Sequence, residues 1–175
     1  MIKKILKQQL KFVEAEMKYT LVTTRFNEET YQENKTFREK NNAKFGCIYG
    51  IFSLNTKLST DKPMYVLEMN NSQNKIMGIG CIYNKPVQKP VFIYKTGNYN
   101  RYVYIGKYRI DRSNITEEEE NIMKLLDHIC FKGASHLKRG RGFTKFPTKT
   151  LYKCEYFIHF NILHFISEMF NKRFA

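Results

Sequence analysis

The sequence contains no tryptophan and only four prolines. No apolar run reaches the ~20 residues that a helix needs to span a bilayer. The most apolar C-terminal stretch, Cys154 to Phe170, is broken by Glu155, His159, Asn161, His164, Ser167 and Glu168, which predicts an amphipathic helix and no transmembrane segment. The four cysteines, Cys47, Cys81, Cys130 and Cys154, form no CxxC pair, so the close ligand spacing of a zinc site is missing. Reduced, buried thiols in an intracellular protein, cytoplasmic or nuclear, are expected. Carboxylates are also scarce, with 16 Asp and Glu against 30 Lys and Arg.

That deficit leaves a formal charge of +14 and directs attention to an anionic partner. Nucleic acid comes first, and an acidic protein or a membrane surface second. Hydrophobic residues make up 42% and aromatics 15% of the 175 residues, enough for one folded domain with a proper core. The reading is therefore a single domain over residues 1–175.

Within it, residues 1–18 carry Ile2, Ile5, Leu6, Leu10 and Val13 on one helical stripe, with lysines largely opposite. Gln8, Gln9, Glu14 and Glu16 dilute the alternative of a membrane anchor or targeting segment. Tyr19 to Phe26 reads as a strand. Asn27 then caps a polar helix running to about Asn41, with Tyr31 and Phe37 as its large anchors. Phe45 to Phe52 reads as a strand in which Gly46 and Gly50 permit a bulge or close approach. The centre of the chain, Lys62 to Ile110, holds four strand-like segments: Met64–Met69, Lys75–Tyr83, Val91–Tyr94 and Arg101–Ile110. The Asn-rich link 70–74 joins the first two as a hairpin. Thr116 and Glu119 spell a capping box before the apolar face of Ile122, Met123, Leu125, Leu126 and Ile129. The glutamate run there complements the helix dipole. This order predicts an α+β fold: a small curled, mostly antiparallel sheet or pseudo-barrel with helices packed outside. Residues 19–131 form its core, 132–153 a basic glycine-containing loop, and 154–171 a C-terminal helix.

Two constellations point to function. In the basic loop, no acid occurs between Asp127 and Glu155, and Lys138, Arg139, Arg141 and Lys145 accompany Gly140, Gly142 and Phe143. Phosphate neutralisation needs such cations without carboxylates, glycines let the backbone approach, and an aromatic ring can stack on an exposed base. The second constellation is Tyr99, Arg101, Tyr102 and Tyr104, where tyrosines beside cations on a strand have the composition of a single-strand platform. Tyrosine packs into small barrels as well, so core packing stands beside that reading. Catalysis has little to rest on. His159 and His164 are badly spaced for one face, no HExxH or GxSxG pattern occurs, and Glu68 sits alone among apolar residues. No catalytic, metal or cofactor residue is assigned.

Tyr65 to Ile82, an apolar strand, an Asn-containing turn and a Gly-apolar-small step at Gly78-Ile79-Gly80, resembles the central hairpin of PUA-like barrels, particularly the YTH, EVE and ASCH branches. The strand, Asn cap and helix of Lys18 to Asn41, and the later Lys107–Ile110, fall in corresponding places over about half the chain. The resemblance implies a nucleic-acid-binding fold that can hold a base in a pocket. The YTH pocket relies on tryptophans, which this chain lacks, and the GxKxxTxR-like ASCH signature is missing. Walls would then come from Tyr or Phe, with Asn70 or Asn71 as polar readers. The expectation is a non-catalytic binder of RNA or single-stranded DNA. The alternative is a structural or assembly protein, of a virus factory or virion, docking on acidic protein or packaged genome. The Lys- and Asn-rich composition suits an AT-rich source. A nucleic-acid-processing enzyme comes third.

Overall fold

The computed structural model describes residues 2–41 and 44–175. Its helices are α1 (Ile2–Glu16), α2 (Glu28–Lys40), α3 (Glu117–Phe131), α4 (Thr148–Ile158) and α5 (Ile162–Phe174), and its strands are β1 (Thr20–Phe26), β2 (Cys47–Ile51), β3 (Pro63–Asn70), β4 (Lys75–Tyr83), β5 (Tyr102–Gly106), β6 (Tyr108–Asp111) and β7 (Thr144–Lys145). The fold is α+β. Five strands form one mostly antiparallel sheet in the order β6-β4-β3-β1-β7, and β2 and β5 form a separate pair. Among the described residues only β1 and β3 pair in parallel, with α2 in the crossover that a parallel pair requires.

Period-two alternation gives the large sheet two apolar faces. Leu21, Tyr65, Leu67, Met69, Ile76 and Ile79 face α3, α4 and α5. Val22, Met64, Val66 and Ile82 face the small sheet and Tyr31 of α2. Both faces are covered, which explains why the central strands read as near-continuous apolar runs. The expected hairpin forms between β3 and β4, with a register shift between Leu67 and Met69. Asn74 at φ 51° makes its turn.

One carboxylate interrupts the second face. Glu68, 1% exposed, receives Arg109 Nε and Nη2 at 2.9 and 2.7 Å and the Tyr49 hydroxyl at 2.7 Å. Arg109 also donates to Asp111 at 2.6 Å. The glycines of β4 make room for this group. A Cβ on Gly80 would overlap Tyr49 Oη, and one on Gly78 would meet Arg109 Nη2 at 2.6 Å. The Gly-apolar-Gly step thus makes room for a buried ion network with Glu68 as its central acceptor. Burial, the largest single influence, pushes its carboxyl up, but the charge and hydrogen bonds of Arg109 together bring it below the usual range.

Four expectations are corrected. Val91–Tyr94 is not a strand, because the Ile93 and Tyr94 amides both donate to Asn100 Oδ1 at 2.9 Å instead of to a ladder. Arg101–Ile110 is two strands on different sheets, parted at Lys107. The C-terminal segment is two helices, since His159 turns left-handed at φ 52° and Asn161 caps α5 through the His164 amide. Fourth, the basic loop expected over 132–153 yields to β7 and α4 from Thr144 onward. On α1, Leu10 and Val13 are half-buried and Leu6 is exposed; the side chains of Ile2 and Ile5 lie outside the described residues. The expected Thr116–Glu119 capping box forms, and Asn27 caps α2, its cap completed as a box by Thr30. The acidic start of α3 is tied inward: Glu119 pairs with Arg173, while Glu120 and Asp127 pair with Arg112. No helix among the described residues is long and apolar enough to cross a membrane.

Candidate nucleic-acid interface

The C-terminal end of β1 opens into a cleft of about 540 Å³, within the usual range for ligand sites. Three pieces of chain build it: the β1–α2 junction, the end of β2 with Phe52, and the basic loop with Gly140, Arg141 and Gly142. Tyr99 and Asn71 complete the wall, and no Asp or Glu lines it. Phe52 and Tyr99 are 44% and 45% exposed. Gly50, two residues before Phe52, lets β2 press close to the Tyr94–Tyr99 segment: a Cβ there would overlap the Tyr99 carbonyl and sit 2.9 Å from the Tyr94 ring. Tyr94 is buried, accepts a hydrogen bond from Asn34 Nδ2 at 3.0 Å, and meets Tyr99 edge-on with centroids 6.2 Å apart. The exposed ring of Tyr99 is therefore backed by a fixed one. The Arg101 guanidinium lies 5.8 Å from the Phe52 centroid and 5.5 Å from that of Tyr102, in cation–π range.

Arg25 organises the basic loop. Its guanidinium donates to the carbonyls of Leu137 (2.9 Å) and Gly142 (2.8 Å), and to Thr144 Oγ1 (2.8 Å) and Thr23 Oγ1 (3.1 Å). None of these acceptors is a carboxylate. Burial pushes the guanidinium down to about 10, so it stays charged at neutral pH. A side chain on Gly140 would overlap this guanidinium, and Gly142 has φ +58°, a conformation open to glycine at little cost. Gly140, read in sequence as room for phosphate, thus first makes room for Arg25. Beside it, Asn71 Nδ2 donates to the Lys138 carbonyl at 3.0 Å. Arg25 Nε and Asn71 Oδ1 are left without a partner, and both residues line the cleft.

The other residues singled out from sequence separate into two groups. Arg139 and Arg141 are exposed, and Arg141 lines the cleft with Tyr99. Lys138 is half-buried, with Nζ donating to Asn74 Oδ1 at 2.7 Å. Tyr102 is half-buried under Arg101. Four assignments are corrected. Phe143 and Tyr104 are 1% and 0% exposed and pack edge-on at 4.9 Å inside the second core, so neither offers a stacking face. Lys145 sits on β7 and pairs with Glu14 of α1, away from the cleft. Asn70 is buried; its Oδ1 closes the hairpin turn through the Ser72 and Gln73 amides, and its Nδ2 donates to Glu28 at 2.9 Å. Sequence reading missed Phe52 and Arg25. The signals were a glycine two residues before an aromatic, and an arginine inside an otherwise uncharged strand. Comparison with known protein families, curated proteins and solved structures returned no match.

Proposed function

We propose that the chain is a non-catalytic nucleic-acid-binding protein that holds a single strand in this cleft, with an unpaired base against Phe52 or Tyr99 and phosphate at Arg141 and Arg139. One observation carries the reading. The chain has two long stretches without a carboxylate, residues 69–110 and 128–154, each with seven Lys and Arg. They meet at the cleft, the first bringing Asn71 and Tyr99, the second Gly140 and Arg141. Arg25 and Arg141 in the lining, Arg101 over the Phe52 ring and no Asp or Glu in the cleft wall suit a flexible polyanion with free base faces. The cleft volume admits one nucleotide-sized group, whereas the walls offer no helix or ribbon to lay in a duplex groove.

The PUA-like reading belongs to the same proposal. It rests on the order of elements and on a second core shared by the two sheets, which we take as a split barrel. The test is fluorescence anisotropy with single-stranded RNA, single-stranded DNA and duplex DNA at two salt concentrations. Salt-sensitive binding that favours a single strand, weakened by Arg139→Ala/Arg141→Ala with a shallower salt slope, is the expected result; each phosphate contact removed lowers that slope by about 0.7. Absence of binding to all three at low salt overturns the proposal and leaves the charge to an acidic protein partner.

A further inference from the structure

The first carboxylate-free stretch does not end at the cleft. From Arg101 the chain runs along β5 to Lys107, a distance of ~20 Å at strand rise, and there it enters a second groove of about 430 Å³. Tyr83, Ile105, Lys107 and Tyr108 line this groove. Tyr83 is 52% exposed, and Lys85 Nζ stands 5.9 Å from its ring centroid. Lys107 Nζ stands 5.2 Å from that of Tyr108. Tyr108 in turn packs on Phe174 at 4.9 Å, and Phe174 on Phe170 at 5.6 Å, so the ring is fixed from behind as Tyr99 is by Tyr94. The segment just after Lys85 is held beside β5 by the Val87 amide, which donates to the Val103 carbonyl at 2.8 Å. No Asp or Glu side chain lines the groove, and none occurs between Glu68 and Asp111. Two aromatic stations, each overlaid by a cation, therefore lie at opposite ends of one acid-free strand.

We infer that the Tyr83–Lys85–Lys107–Tyr108 groove is a second station for the same single strand, occupied by nucleotides adjoining those in the cleft. The inference rests on the nucleic-acid reading above and adds a site length and a second set of contacts to it. At the ~3.4 Å per nucleotide of a stacked strand, a span of ~20 Å corresponds to about six nucleotides, within the about 4–16 that single-strand sites cover. A uridylate trimer would then engage one station, and a dodecamer both.

The experiment measures anisotropy of labelled uridylate 3-mers and 12-mers with the full chain, with Tyr83→Ala/Lys107→Ala, and with Phe52→Ala/Arg141→Ala. The replaced side chains are all exposed aromatics or cations at the surface, and circular dichroism and Tm confirm that each variant folds; if the first double variant does not, Lys85→Glu takes its place. The expected result is a 12-mer affinity about tenfold lower for the Tyr83 and Lys107 variant, with the 3-mer unchanged. An unchanged 12-mer affinity in that variant, beside a clear loss in the Phe52 and Arg141 variant, overturns the second station and leaves the cleft standing. Equal losses on 3-mer and 12-mer also overturn it, since the groove would then not be a separate station. If the unaltered chain binds neither oligonucleotide at low salt, the cleft reading itself fails.

Discussion

Replacing Arg109 with methionine tests the logic of the interior. The change removes a cation whose side chain is 5% exposed while retaining much of its apolar stem. Glu68 then keeps only the Tyr49 hydroxyl at 2.7 Å. Breaking a buried ion pair by removing one partner costs about 3–5 kcal/mol, against a total of ~5–15 kcal/mol for a domain. For a chain of this length a loss of that size lowers Tm by roughly 6–20 °C. The pH dependence supplies a sharper sign. In the native protein, burial raises the Glu68 carboxyl, but Arg109 outweighs it and the net shift is downward. A depressed folded value contributes stability that is present above the unfolded value of ~4.3 and lost as pH falls through the folded one. Without Arg109, burial is left to act and the folded value rises above the unfolded one. Stability from this group is then complete only below ~4.3 and declines as pH rises through the raised value. Urea titrations from pH 5 to 8, with m-values compared, should show the variant weakening with rising pH where Glu68 gives the native chain no such slope. Adding Glu68→Gln should abolish the decline and recover stability at pH 7, its carboxamide oxygen accepting from Tyr49. A single variant within ~1 kcal/mol of the native chain, with no pH slope, would refute the reasoning.

Three further outcomes follow from the packing. Phe143→Ala should destabilise by about 3–5 kcal/mol, whereas Phe52→Ala should leave the urea midpoint nearly unchanged and weaken single-strand binding by about 1–3 kcal/mol; the reverse pattern would exchange their roles. Gly80→Ala should cost about 1–3 kcal/mol or more, read as a Tm decrease, because its methyl overlaps Tyr49 Oη. Arg25→Met should free two carbonyls of the basic loop, so that trypsin cuts after Lys138, Arg139 and Arg141 faster while far-UV circular dichroism holds; unchanged cleavage would show that the glycines and Asn71 hold the loop without it.

Local signals were legible in the sequence where local chemistry decides the outcome. The Asn27 and Thr116 caps, the 70–74 turn and the central hairpin each depend on residues within a few positions of one another, and each forms. Partnership across the chain was not legible. Val91–Tyr94 has strand composition, but Asn100, six residues past Tyr94, takes its amides. The run from Cys154 to Phe170 has an amphipathic pattern throughout, and one left-handed residue, His159, divides it. At the site the charge pattern located the right loop, yet the aromatics were exchanged: Phe143, interleaved with cations, is core, while Phe52, at the end of an apolar strand, lines the cleft. Sequence spacing cannot distinguish these, because exposure depends on whether a second sheet lies opposite.

The placement of carboxylates explains why so basic a chain can fold and still present cationic surface. Among the described residues, ion pairs engage seven of the sixteen acids with five of the thirty Lys and Arg. Arg109 and Arg112 each take two acids, so buried or half-buried networks consume anions faster than cations. Nine acids and twenty-five cations lie outside these pairs. Of those nine, Glu28, Glu29, Glu117 and Glu118 sit in first helical turns, where the helix dipole favours them. Twelve of those twenty-five cations lie along residues 69–110 and 128–154, where the chain has no acids to offset them, and the fold brings those two stretches together at the cleft that Phe52 and Tyr99 line with exposed rings.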